Sequence, residues 1–406
     1  MKKILILILL TGTLLWAQQE AIVTRDNTHV RQGAGSYYPL LGVLQKGTSI
    51  KILSEVPGWL NILISGQSGW VSQNAVASPE GTRTNLPLSE VPGAKPMMVS
   101  SASASGAVKG FAQTYLSHHK TGFGFIDQYD VLLFDASDYQ RFRDETYRGR
   151  NPEKIRKRYK KIKNENKNPE ITGYLEKLGL AVAAQIAAGG LEQNQPQIVY
   201  LNMVGNLVAE MTPLYDYPFK FYILSESRPV GYAAPNGMIF ISRGLLNIIS
   251  SEAELACVLG HEITHVVQQH GYAEVLKRRT LIIAEDAFSE LDKESPGGFS
   301  DAELEDLAIE MYNTSTSRRQ IDYEYEADQL GSIYAYRAGY DPKGLTKVLK
   351  SIKAASSPDF WHPESNWQYD AIEDRVEVLS LFISRELGSN PDWNVSNVQR
   401  FRESIR

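Results

Sequence analysis

The chain has 406 residues, 43% of them hydrophobic and 22% charged, with a formal net charge of −5. That length exceeds one ordinary core and predicts two or three domains, and so mild a net charge points to no polyanionic partner such as nucleic acid. The only cysteine is Cys257, so no disulfide can form within the chain and core packing must supply the stability.

Lys2 and Lys3 precede a mostly apolar run from Ile4 to Trp16, the pattern of a secretory signal over residues 1–17 with cleavage after Ala17. The run is shorter than the roughly 20 residues of a membrane span, no cysteine follows it for lipid attachment, and no later segment is long and apolar enough to cross a bilayer. The expectation is an exported protein, periplasmic or otherwise associated with the cell envelope, with no transmembrane span after cleavage.

Residues 20–77 read as an all-β module. Ile50-Lys51-Ile52 and Trp59-Leu60-Asn61-Ile62 alternate between apolar and polar residues, and Gly33, Gly35, Gly47, Gly58, Gly66 and Gly69 break the runs. The segments Val30-Arg31-Gln32-Gly33, Lys46-Gly47-Thr48, Gly58-Trp59 and Gly69-Trp70-Val71 resemble the bacterial SH3-type domain. The resemblance implies a small β-barrel with a peptide or cell-wall ligand. Trp59 and Trp70 read either as packing or, with Tyr37 and Tyr38, as a ligand shelf. Residues 78–107, rich in Ser, Ala, Pro and Gly, have linker composition. Residues 108–168 read as a basic helical region: Arg141 to Asn168 holds twelve Lys/Arg against four Asp/Glu. That excess fits a solvated helix or contact with an anionic envelope surface.

The third unit, 171–390, carries the chemistry. Leu175–Ala188 and Tyr200–Met211 have helical spacing, Phe219–Ile223 and Met238–Ile241 read as strands, and Gly231–Gly237 is a turn signal. Ser251 with Glu254 forms a capping box, and Gly271 reads as the C-terminal stop of a helix of about twenty residues. On that helix stands His261-Glu262-Ile263-Thr264-His265. Residues four apart on a helix share a face, so His261 and His265 can reach one ion, with Glu262 beside them to take a proton from the attacking water. A catalytic zinc needs a third protein ligand. A histidine six residues after His265 would be one source, but that position is Gly271, and His270 points roughly 140° away if the helix continues. A carboxylate from Asp322-Tyr323-Glu324-Tyr325-Glu326-Ala327-Asp328 is the other. Glu324 and Asp328 share a face, Glu326 points away from it, and one face holding both a ligand and a carboxylate that orients a histidine fits Glu324 and Asp328 together. Small Ala327 would let the two helices approach. Pro342–Lys353 with Asp341 as cap, and Asp370–Leu387 stopped by Gly388, read as further helices.

His261–His265 with Glu324, Ala327 and Asp328 resembles the gluzincin metallopeptidases that include CAAX prenyl proteases and HtpX-like quality-control proteases, its soluble, BepA-like members most of all. The flanking Ile241–Leu246 and Glu252–Ala256 agree. The resemblance implies a mostly helical zincin-like α+β domain with a small antiparallel sheet. It also implies one Zn²⁺ per chain held by His261, His265 and Glu324, Glu262 as general base, and polypeptide substrates, among them misfolded or unassembled envelope proteins. His362-Pro363 matches a family pattern and makes His362 a candidate catalytic group, an oxyanion donor. Arg375 stands further from it than the pattern would put it, which leaves its role open. The strand at Met238–Ser242 is a candidate edge for extended substrate, Glu285–Thr316 a candidate mobile cover, and 391–406 a tail. The rival functions are a client-binding, chaperone-like protein and a zinc hydrolase of cell-wall peptides.

Overall fold

The computed structural model describes residues 19–64, 66–77, 98–119, 123–151, 165–167, 169–277, 301–317, 320–355, 370–388 and 395–405. The expected signal peptide, His362 and the first half of the candidate cover lie outside these residues, as does the middle of the basic stretch.

The alternating N-terminal segment forms strands β1 (Gln19–Val23), β2 (Thr28–Arg31), β3 (Leu40–Leu44), β4 (Ser49–Val56), β5 (Trp59–Ile64), β6 (Gln67–Ser72) and β7 (Val76–Ala77), joined by β8 (Val99–Ser100). They make one antiparallel sheet in the order β7-β1-β4-β5-β6-β2-β3-β8, curled around its own core of residues such as Val30, Leu44, Ile62 and Val71. Gly58 closes the β4–β5 turn at φ +84°, a backbone that favours glycine.

The expected linker, 78–107, differs at its far end. Val99 and Ser100 pair with β3, and Ser101–His119 is helix α1. Ser100 Oγ accepts from the amide of Ser103, so the serine-alanine run starts a helix with a hydroxyl at its N-terminus. Helix α1, α2 (Phe123–Ile126) and α3 (Ala136–Thr146) do not form a unit of their own: Phe111, Tyr115, Leu116 and Phe142 lie in the same core as the catalytic helix. Apolar residues every three or four positions give α1 a stripe that the remaining helices cover.

Next come α4 (Gly173–Ala187), α5 (Gln195–Ala209), β9 (Lys220–Leu224), β10 (Gly231–Ala233), β11 (Met238–Ser242), α6 (Arg243–Ile248) and α7 (Glu252–Val267). Helices α8 (Asp301–Ser317), α9 (Ile321–Arg337), α10 (Gly344–Ala355), α11 (Ile372–Glu386) and α12 (Val398–Ile405) follow. The three-stranded sheet has the order β10-β11-β9. It is mixed rather than wholly antiparallel, because β11 runs parallel to β9 and antiparallel to β10. This also corrects the expected substrate edge. Met238–Ser242 is the central strand and every residue of it is buried; the edge is β10. The other edge, β9, is closed by α5, where Asn202 exchanges two hydrogen bonds with the Phe221 backbone, at 2.7 and 2.9 Å.

Two other expectations change. Residues 301–317, the second half of the candidate cover, form α8, whose Leu304, Leu307, Ala308 and Met311 are buried in the main core. The C-terminal tail holds α12, whose Phe401 is fully buried. Among the described residues no helix is long and apolar enough to cross a membrane.

Candidate active site

Helix α7 begins where Ser251 accepts from the amide of Glu254, while the Glu254 carboxylate reaches back to the amide and hydroxyl of Ser250, at 2.8 and 2.7 Å. All sixteen residues of α7 are buried, so its histidines face protein, not solvent. Helix α9 crosses it at two glycines. A Cβ at Gly260 would stand 2.5 Å from the Gly331 carbonyl, and one at Gly331 would stand 2.4 Å from the His261 amide. Those two glycines, and not Ala327 alone, allow the approach that brings a carboxylate to the imidazoles.

The sequence-predicted ligands converge there. Ligand atoms of His261, His265 and Glu324 lie within 4.8 Å of one another, with the two Nε2 atoms 3.2 Å apart and Glu324 oxygens 3.5 Å from His261 and 3.6 Å from His265. Asp328 takes the place expected for it, 2.9 Å from His261 Nδ1. A proton on that Nδ1 leaves Nε2 with a bare lone pair.

His265 is oriented by residues that sequence reasoning set aside. Helix α7 stops at Val267, and Gln269 takes the left-handed φ of +54°, two residues before the glycine expected to end it. The turn swings His270 back, so that its Nδ1 lies 3.0 Å from His265 Nδ1 and its Nε2 lies 3.0 Å from Glu326. The ring stacks on Tyr323, centroids 4.5 Å apart. A helical stretch resumes at 270–277. The 140° angle assumed an unbroken helix; a left-handed glutamine carries little sequence signal, so the contact was not legible. A proton passed from His265 Nδ1 to His270 and from His270 Nε2 to Glu326 would leave His265 Nε2 free to bind a metal. Two ring nitrogens 3.2 Å apart with a carboxylate beside both form, once deprotonated, a donor set that fits a divalent metal ion of the zinc type.

Arg375, whose role the sequence left open, is buried beside this group. It donates to both oxygens of Asp328, at 2.8 and 2.7 Å, and its third nitrogen lies 3.0 Å from Glu324. Burial pushes the Glu324 carboxyl up, but Arg375 and the imidazoles outweigh it and hold the group well below the usual range; Asp328 is lowered by the same neighbours. Burial opposes protonation of His261, yet Asp328 and Glu324 raise its pKa to about 9, a proton that a bound metal displaces. Glu262 lines a cavity of about 110 Å³ together with His261, Glu324, Arg375 and residues 230–232 at the edge strand. Gly231 leaves room for the Glu262 carboxylate: a Cβ on it would stand 2.5 Å from Glu262 Oε1 and displace that group.

A model of the peptidase family M48 matches residues 191–376, and one of the bacterial SH3 domain matches residues 26–77. The chain carries a peptidase family M48 domain. The M48 domain contains all the described groups of the site, Arg375 included. Among curated proteins the chain is 29% identical over 229 residues to the putative beta-barrel assembly-enhancing protease of Vibrio cholerae, covering 52% of this chain and 46% of that one. It is 28% identical over 163 residues to metalloprotease YcaL of Escherichia coli, 39% of this chain and 61% of that one. It is 23% identical over 166 residues to the mitochondrial metalloendopeptidase OMA1 of Schizosaccharomyces pombe, covering 41% and 47%. The chain thus spans from about half to three fifths of the length of these relatives.

Two aromatics of the SH3 module, Tyr37 and Trp59, pack on residues outside it while lining a cavity of about 390 Å³. Tyr37 packs on Tyr139, centroids 4.6 Å apart, and Trp59 meets the edge of Tyr215. Tyr215 donates to the Gly58 carbonyl at 2.6 Å and lies 2.8 Å from Ser72 Oγ.

Proposed function

We propose that the chain is a zinc-dependent endopeptidase of the cell envelope that cleaves extended segments of misfolded or unassembled proteins. His261, His265 and Glu324 are the metal ligands, Glu262 the general base and then acid, and Asp328 a carboxylate that orients His261. The observation that carries the reading is the meeting of two imidazoles and a buried carboxylate beside a cavity lined by His261, Glu324 and Glu262. When bound, zinc lowers the pKa of the attacking water and polarises the scissile carbonyl. Glu262 takes the water's proton and returns it to the leaving amine. Asp328 and His270 keep the ligand rings aimed, and Arg375 offsets the charge of two adjacent carboxylates. The edge strand β10 supplies main-chain groups to an extended substrate, and the missing side chain at Gly231 lets it lie against Glu262. His362 remains a proposed oxyanion donor on its His-Pro pattern alone. The apolar N-terminal run and the names of the relatives support the envelope setting.

The test is Glu262→Gln. The variant is expected to keep about one zinc per chain by elemental analysis and to lose casein cleavage by about 10²–10⁴-fold. A wild-type protein that holds no metal, or that binds unfolded casein without ever cutting it, would sink the peptidase reading; the second result would favour the chaperone-like alternative.

A further inference from the structure

Between the SH3 module and the M48 domain lies a second cavity, of about 410 Å³, sharing no lining residue with the catalytic one. Its size falls in the roughly 300–1,000 Å³ range of small-ligand sites. Two buried or half-buried cations line it without a salt bridge among the described residues. Arg31, 3% exposed, gives one nitrogen to the Tyr38 carbonyl at 2.9 Å and sets another 3.1 Å from His29 Nδ1, while its Nε has no partner. Lys220 donates to the carbonyls of Gln128 and Tyr129. Two carboxylates line it as well: Glu176 accepts from Tyr129 and Tyr217, at 2.9 and 2.5 Å, and Asp130 pairs with Lys109 just outside the lining. With Lys109 counted, three cations meet two carboxylates, an excess of one positive charge. Asn236, also 3% exposed, lines the same cavity with neither amide atom satisfied. Buried polar groups in folded proteins are nearly always paired, and an unpaired one is costly.

We propose that this cavity binds the carboxyl-terminal end of a polypeptide. The terminal carboxylate meets Arg31 Nε and the Lys220 ammonium, and the last peptide group supplies both a donor and an acceptor to Asn236. The last side chain packs on Leu40, Pro218 and Met238. An inorganic anion satisfies the cations but not the amide, and an apolar ligand satisfies neither. Asn236 sits in the turn joining β10 to β11, so an occupant fastens the turn of the strand that borders the catalytic cavity; this consequence rests on the peptidase reading, whereas the binding itself does not.

The test is fluorescence anisotropy on the full-length chain carrying Glu262→Gln, with a rhodamine-labelled hexapeptide ending in leucine, as free acid and as C-terminal amide. The free acid is expected to bind at least about tenfold tighter, the worth of one charge-assisted hydrogen bond. Lys220→Gln should remove that difference. So should Leu132→Glu, a residue at the mouth that is 50% exposed, where the fold tolerates a charge. Equal binding of acid and amide, or a Leu132→Glu protein that binds as before, overturns the proposal. Acetate competing as well as unlabelled peptide also overturns it and leaves a plain carboxylate site. Casein cleavage by the native chain is read separately, so peptide binding without cleavage spares the cavity and sinks only the peptidase reading.

Discussion

His270 reaches its position beside His265 through a single left-handed residue, Gln269, at φ +54°. It makes no contact with the proposed metal position in the helical register that the sequence implies, yet the folded chain uses it to fix the ring of a ligand. Replacing such a partner usually costs ten- to a hundredfold in metal affinity. His270→Ala is therefore expected to weaken zinc binding by about that factor in competition with a chromophoric chelator, with helical content unchanged. Cys257 shows the opposite case, a residue whose type alone told the outcome. It is fully buried, and burial lifts its thiol from 9.0 to about 12. Because the folded value lies above the unfolded one, its contribution to stability is complete below pH 9 and is lost as pH rises from there through about 12. A thiol reagent at pH 8 should modify Cys257 only after denaturant unfolds the chain. Of the site, His261, Glu262, His265, Glu324 and Asp328 were legible because four-residue helical spacing puts the paired groups on shared faces. His270, Glu326 and the anchoring of Arg375 were not, because each depends on a turn or on an angle between helices.

At the scale of elements, the α7–α9 crossing decides whether the site exists at all. Gly260 and Gly331 meet backbone to backbone, so neither neighbour can yield as a flexible side chain would. Overpacking of this kind costs about 1–3 kcal/mol. Gly331→Ala is expected to lower stability by about that much in urea titrations, and to reduce zinc affinity as well, since it moves Glu324 and Asp328 away from His261. Unchanged metal affinity would mean that α9 can shift without carrying its carboxylates. The strands and helices themselves were largely readable from apolar periodicity, caps and turn glycines. The order of the small sheet was not. Met238–Ser242 reads as a strand from composition, but whether it is central or an edge depends on where the Ser225–Val230 connection sends β10 and on Asn202 sealing β9 from the other side.

Across the whole molecule, chain ends and modules that the sequence marks as peripheral are fastened to the catalytic unit. Helix α12 returns Arg400 to the buried carboxylate of Glu252 at the start of α7, where Tyr200, Tyr340 and Asn397 also donate, at 2.7, 2.9 and 2.8 Å. Removing one member of a buried charged group leaves the other unanswered, at a cost of about 3–5 kcal/mol. Arg400→Ala should lower the melting temperature by several degrees or more, which calorimetry would detect. The SH3 module docks through Trp59 and Tyr37, which meet Tyr215 and Tyr139. By itself the sequence determined that one helix carries two imidazoles and a carboxylate on adjoining faces, that a second helix carries two further carboxylates on one shared face, and that a β module precedes them. Those are local facts, fixed by 3.6-residue and two-residue periodicities. Which carboxylate meets which ring, which strand is the edge, what Arg375 and His270 hold, and which surfaces close on each other were decided only by tertiary contacts. They depend on how closely backbones can approach and on contacts between separate elements, and no local period records either.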